Sequence, residues 1–392
     1  MDPTQPETNV PARIGLVLPG GGARAAYQVG VLCGLSELLP ADAATPFRVI
    51  TGTSAGAINA AMMASHARDF RAGVAHLERL WRGIRSDQVF HTGPLIALRT
   101  GLRWLLALAA GTLKRHQPMT LLDNAPLRGL LRANIDFARM KQAIDTGALD
   151  ALAITASGYT SARSISFYQG QGTLAAWERS RRLGERAQID VEHIMASVAL
   201  PVIFPAVRIG QEFFGDGSLR QMSPMSPALH LGAEKVLVIA SRNEDPNRMP
   251  STTEEVPYPS LGQIAGYLLD TLFMDSIYAD LERLQRINNT VSRLRERPSS
   301  DQPLRVIDAL VITPSEDIRE IAQQHQDEFP GTVRVLLNRV GGMNRGSSQL
   351  FSYLLFEAGY CGELIDLGRR DALAQADELL AFVANPATSR ES

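Results

Sequence analysis

Ser54 stands in Gly-Thr-Ser-Ala-Gly, residues 52–56, behind the strand-like run FRVI and ahead of a stretch with helical spacing. A serine on such a strand-to-helix junction is held in a strained turn, and its neighbours must be small where strand and helix close on each other. Gly52 and Gly56 meet that need. The Ala55 amide and the positive end of the following helix then face the point where charge develops during acyl transfer. Ser54 is therefore a candidate nucleophile and Ala55 a candidate oxyanion donor. The plainer alternative is a serine in a glycine-rich packing loop.

A second cluster, Gly20-Gly21-Gly22-Ala23-Arg24-Ala25, ends the apolar run IGLVL at residues 14–18. It also fits the G-x-G-x-x-A form of a dinucleotide loop, but the acid that should end the second strand is missing, because FRVI runs into TGTSAG. No Lys-Ser or Lys-Thr pair closes the run as a Walker loop requires. Backbone without Cβ atoms can approach a ligand closely, so the amides of Gly20, Gly21, Gly22 and Ala23 are candidates to complete an oxyanion hole. Arg24 suits a lipid phosphate or a carboxylate that pins the loop equally well.

A serine hydroxyl needs a base. His66, His76, His91, His116, His193, His230 and His325 all fall in helices, helix starts or loops without the setting of a triad histidine. Asp216, in EFFGDGSL, follows an aromatic strand and lies between Gly215 and Gly217, which permit a tight turn and close backbone approach. A carboxyl titrates near pKa ~3.9 in water and rises on burial, which would fit it to take the serine proton. An Asp-Gly pair is otherwise a hairpin turn.

Together, GGGARA, GTSAG and DGS resemble the patatin-like phospholipases, and ASVALPVIFPAV at residues 196–207 resembles that family's Ala-Ser block with trailing prolines. Order and spacing agree over residues 12–242. Two positions depart from the common pattern: Ala25 replaces a glycine, and Gly217-Ser218 stands where Gly-Gly or Gly-Ala is usual. The resemblance implies a three-layer α/β/α sandwich with a mostly parallel central sheet. It further implies a serine lipid acyl hydrolase of phospholipase A, lysophospholipase or esterase type, without a cofactor or metal. Ser54 would be its nucleophile, Asp216 its base, and Gly20, Gly21, Gly22, Ala23 and Ala55 its oxyanion hole, with Arg24, Gly52, Gly56 and Gly217 in support. The substrate would be a phospholipid or another acyl-ester lipid. A Ser-His-Asp esterase and an inactive lipid-binding protein are the alternatives.

The elements that must position these residues alternate strand-like and helical. IGLVL, FRVI, DALAITAS, KVLVIAS and IDALVIT are apolar and β-branched, with helical patterns between several of them. LAITASGYTSARSISFYQG and AVRIGQEFFGDGS read as strand pairs joined through small-residue turns, the second bent at Gly210. Residues 260–294 and 347–383 keep helical spacing, so the C-terminal third is mainly helical. The expected organisation is a disordered lead-in over 1–12, a catalytic domain over 13–315 with its motifs in 13–242, and a helical extension over 316–392 packed on it.

The chain has 392 residues, 45% hydrophobic and 20% charged, which suits a soluble globular protein and excludes extended disorder. With 39 basic and 41 acidic residues it has no overall positive field for nucleic acid. Cys33 and Cys361 are far apart in apolar surroundings, as reduced thiols of a cytoplasmic protein would be. The most lipophilic stretch, Trp104 to Leu113 within 93–115, is flanked by Arg and Lys and is shorter than the ~20 residues of a bilayer span. It reads as an amphipathic lid, as a peripheral contact at the inner membrane face, or as a helix buried over the sheet.

Overall fold

The computed structural model describes residues 12–91, 120–242, 258, 260–273, 275–293, 305–339 and 348–384. The lead-in through residue 11, the 93–115 stretch and His116 lie outside the described residues.

One mixed sheet contains β1 (Ile14–Leu18), β2 (Val49–Thr53), β3 (Ala151–Gly158), β4 (Ser164–Gly170), β5 (Trp177–Arg179) and β6 (Arg182–Arg186). It continues with β7 (Val207–Ile209), β8 (Glu212–Asp216), β9 (Lys235–Ile239) and β10 (Asp308–Ile312). The main order is β10-β9-β1-β2-β3-β4-β6-β5. From β10 through β3 all neighbours are parallel, and β4 then turns antiparallel on β3. Helices flank the sheet in an α/β/α arrangement. β1, β2, β3 and β9 are buried along their whole length. That is why they read as continuous apolar runs and not as alternating ones.

Helix α1 (Ala26–Leu38) is buried from Ala26 through Ser36, because α8 (Ala358–Ala374) packs along it. A Cβ on Gly30 would stand 2.0 Å from the Ile365 carbonyl oxygen, and one on Gly368 2.3 Å from that of Tyr27, so the two helices meet backbone to backbone. Between them in sequence come α2 (Ala55–Ser65), α3 (Phe70–Arg82), α4 (Ala125–Asn134), α5 (Phe137–Asp145), α6 (Leu261–Phe273) and α7 (Asp275–Val291). The C-terminal helices thus belong to the same hydrophobic core as the sheet.

The β5–β6 hairpin carries no apolar alternation in its sequence, WERSRRLGER. It is anchored by Trp177, whose ring stacks on Tyr168 at 5.3 Å and on His230 at 5.0 Å. Among the described residues no helix is long and apolar enough to cross a membrane.

The site is created by a change of partner along β3. Thr155 pairs with Thr53 at the end of β2, and the next residue, Ala156, pairs with Asp216 at the end of β8. β2 and β8 therefore arrive at one point on the same edge of β3 from opposite directions.

Candidate active site

Ser54 follows the last residue of β2 and precedes the first of α2, with φ 53° and ψ −130°. This is a costly conformation for a residue with a side chain, and it is held by contacts on both sides. A Cβ on Gly56 would lie 2.0 Å from the Leu18 carbonyl oxygen, and one on Gly52 2.5 Å from that of Gly56. The elbow also leans on β3: Ser54 N–H donates to Ser197 Oγ at 2.9 Å, and Ser197 Oγ donates to the Thr155 carbonyl at 2.6 Å. Ser197 lies in the ASVALP block, which was the only signal for it in the sequence.

Ser54 Oγ donates to Asp216 Oδ2 at 2.6 Å, and both residues are buried. The carboxylate is fixed from two sides, since Asp216 N–H donates to the Ala199 carbonyl at 2.8 Å and Ser218 N–H donates to Oδ1 at 2.9 Å. Gly217 passes so close to β3 that a Cβ would meet the Thr155 carbonyl oxygen at 2.1 Å. Ser157 Oγ donates to the Gly217 carbonyl at 3.1 Å, which keeps the turn in place. Burial pushes the Asp216 carboxyl up to about 6, against the hydrogen bonds from Ser54 and Ser218 that act to lower it. A carboxylate of that strength is half-ionised near pH about 6, mostly ionised at neutrality, and accepts a proton far more readily than an exposed aspartate.

In the glycine loop, Gly22 has φ 55°, and a Cβ there would also stand 2.2 Å from the Tyr353 carbonyl oxygen. Gly21 is extended and packs on Ser241, whose Oγ donates to the Gly20 carbonyl at 3.4 Å. Ala23 is buried in the 3-10 turn Gly22–Ala25. Of the candidate oxyanion residues, Gly22 and Ala55 line the same pocket as Ser54 and Asp216, whereas Gly20, Gly21 and Ala23 do not line it.

Arg24 resolves between its two readings. All five N–H groups are engaged: Nε and Nη2 donate to Ser352 Oγ at 2.9 and 2.7 Å, and Nη2 also donates to the Gln349 carbonyl at 3.3 Å. Nη1 donates to Asp270 Oδ1 and to the Tyr353 hydroxyl, each at 3.1 Å. The guanidinium stacks on the Tyr353 ring at 3.8 Å and is fully buried. It pins the loop to the C-terminal helix α9 (Ser348–Leu354, preceding α8 in the chain) and leaves no donor for a lipid phosphate.

A buried polar chain, absent from the sequence reading, joins the two loops from behind. Trp81 Nε1 donates to Asn59 Oδ1 at 2.8 Å, and Asn59 Nδ2 donates to Gln28 Oε1 at 2.9 Å and the Ala25 carbonyl at 3.1 Å. Gln28 Nε2 in turn donates to the Pro19 carbonyl at 2.9 Å. These partners lie on three different helices, so spacing along the chain gave no sign of them.

The pocket runs from Ser54 and Asp216 into apolar walls that include Ile58, Trp81, Leu131, Phe204, Tyr353 and Phe356. Two of those six come from the C-terminal region, which sequence motifs left without a function. No described histidine bonds Ser54 or Asp216. His230 stacks on Trp177, His193 caps its helix through Asp190, and His325 lies between Glu328 and Glu363. His66 and His76 pack on each other, and His91 faces Asp123. Among the described residues no cluster of His, Cys, Asp and Glu could hold a metal, and both cysteines are buried free thiols.

The mixed α/β sheet thus carries a serine on a strained strand-to-helix turn with an aspartate hydrogen-bonded against it. The sequence profile of the patatin-like phospholipase family matches residues 16–229, more than half of the chain. The chain belongs to that family. Direct comparison with curated protein sequences gives no match. Among solved structures, human GIVD cytosolic phospholipase A2 is similar over 100% of this chain and 61% of its own, at 12% identity and TM-score 0.46. VipD from Legionella pneumophila is similar over 88% of this chain and 67% of its own, at 14% identity and TM-score 0.32. ExoU, in its heterodimeric complex with SpcU from Pseudomonas aeruginosa, is similar over 96% and 58%, at 15% identity and TM-score 0.29. The chain spans about three-fifths of the length of the human enzyme.

Proposed function

We propose that the protein hydrolyses acyl esters of phospholipids through a Ser54–Asp216 dyad. The observation that carries this reading is the 2.6 Å hydrogen bond between Ser54 Oγ and Asp216 Oδ2 at the end of a buried apolar pocket. Ser54 Oγ attacks the acyl carbonyl carbon as its proton passes to Asp216. The oxyanion is held by backbone amides, with Gly22 and Ala55 nearest and Gly20, Gly21 and Ala23 shaping the loop. Collapse of the tetrahedral intermediate expels the alcohol, which takes the proton back from Asp216. Water, deprotonated by the same carboxylate, then releases the fatty acid from the acyl-enzyme. The catalytic domain over 13–315, completed by the helices of 316–392, acts in this reading as one unit. Its place is the cytoplasm, at the inner face of the membrane that supplies the substrate.

Ser54→Ala and Asp216→Asn should each lower hydrolysis of a short-chain nitrophenyl ester by ~10³-fold or more with an unchanged far-UV spectrum. A fluorophosphonate probe should label wild type at Ser54 and leave Ser54→Ala unlabelled. Equal damage from His230→Ala would replace the dyad with a triad, and a folded wild type that resists the probe would indicate lipid binding without turnover.

A further inference from the structure

The end of β3 that carries the dyad also carries an open basin, lined by Ser161, Arg163, Arg179, Arg181 and Arg220 among others. Four arginines there face one carboxylate, Glu178, which pairs with Arg163 at 2.7 Å. Two tight turns hold the basin, with Ala162 at φ 54° and Arg181 at φ 61°. The turns are tied together where Ser164 N–H donates to the Arg181 carbonyl at 2.9 Å. Glu212 on β8 accepts from the Thr160 and Ser161 amides at 2.8 and 2.6 Å. The positive field reaches inward: burial first, then Arg179 and Arg182, hold the His230 imidazole down to about 4.

Large apolar side chains stand exposed around the same end of the sheet. Tyr159, which leads into the first turn, takes its N–H to the Phe213 carbonyl at 3.0 Å and sets its hydroxyl against Gly215, next to Asp216. Met222 donates its N–H to the Arg220 carbonyl at 3.1 Å and is 74% exposed. Tyr159, Phe213 and Val202 are each more than half exposed. Single exposed apolar residues are ordinary, but several beside a basin of arginines form a surface with two chemistries. Guanidinium groups match the oxygens of a phosphate, and amphipathic or apolar side chains beside them match the headgroup–acyl boundary. A free phosphate or a polyanion would have no use for the exposed Met222 and Phe213.

We propose that the Arg163–Arg181–Arg220 basin binds the phosphate of anionic phospholipid headgroups and seats the Ser54 pocket on a bilayer. The inference builds on the lipid reading above, and its test needs no turnover. Ser54→Ala protein is floated with vesicles of phosphatidylcholine alone and of phosphatidylcholine with phosphatidylglycerol. It should float with the anionic vesicles only. Because each basic residue near such a surface contributes about fivefold to partitioning, Arg181→Gln and Arg220→Gln should each lose about fivefold and the corresponding Glu variants about 25-fold. Lys141→Glu, on α5 near the opposite end of β3, should leave flotation unchanged.

Equal flotation with neutral vesicles, or an equal loss in Lys141→Glu, would overturn the proposal. Release of the vesicles by millimolar inorganic phosphate at constant ionic strength would also overturn it, assigning the basin to a free phosphate ligand. That competition uses the unmodified basin, so it decides the matter even if an arginine variant fails to fold. Loss of esterase activity elsewhere in the protein has no bearing on these readouts.

Discussion

The Asp216 carboxyl is an acid kept from water at the end of an apolar pocket, and two consequences follow at this single residue. Its folded pKa of about 6 exceeds the unfolded value near ~3.9. Between those values the folded state holds the proton more tightly, so stability falls as pH rises through the window and then levels off above it. The cost at neutral pH is on the order of 2–3 kcal/mol. Asp216→Asn should therefore be more stable than wild type by roughly that amount at about pH 8, with the gap closing near about pH 4, as chemical denaturation at the two pH values would reveal. In the proposed dyad the carboxylate is the active form, so kcat/KM for ester cleavage should climb about tenfold per pH unit below pH about 6 and stay flat above it. A profile that keeps climbing through pH about 7.5 would implicate a different base.

At the scale of elements, the elbow works because β2 and α2 close on β1 without room for a methyl group. The Cβ of Gly56→Ala would be 2.0 Å from the Leu18 carbonyl oxygen and 2.6 Å from that of Pro19, both backbone atoms of the strand leading into the glycine loop. Neither can rotate away, so the strand and the glycine loop must shift together. We expect a loss of more than ~3 kcal/mol in denaturant melts and a collapse of esterase activity. Gly129→Ala, in an exposed position of α4 with nothing within 4 Å of the new atom, should instead gain about 0.5–1 kcal/mol. The contrast separates glycine demanded by packing from glycine merely tolerated in a helix. The sequence made the first kind legible, since GTSAG, GGGARA and GDG are local instructions for tight turns. It gave no sign of the β5–β6 hairpin, because that ribbon is held by Trp177 against rings from other segments.

Across the whole molecule, the last helices complete a site whose motifs lie within 13–242. Arg24 of the glycine loop is buried against Asp270 on α6 and Ser352 and Tyr353 on α9, while Arg242 Nη1 lies 3.1 Å from the other Asp270 oxygen. Removing one member of such a buried cluster strands the charges of the rest. Arg24→Ala should cost about 3–5 kcal/mol and reduce activity toward a neutral, phosphate-free ester as strongly as toward phospholipid. Arg24→Lys should restore neither, since one ammonium group cannot replace a fork of five donors. Selective loss of phospholipid cleavage alone would return Arg24 to the role of phosphate ligand.

Which turns could form, and what chemistry they could carry, was legible in the residues themselves. Glycine and small-residue patterns act over a few neighbouring residues, so Ser54, Asp216 and the glycine loop were visible one at a time. Only the tertiary structure decided that they meet, because Thr155 and Ala156 pass β3 from one partner strand to the next and bring residues 162 positions apart within 2.6 Å. The same holds for the Ser197 bridge and the Arg24 clamp, whose partners are 143 and up to 329 positions away. Buried polar groups take whatever donor or acceptor the fold brings near, and that choice leaves no periodic trace along the chain.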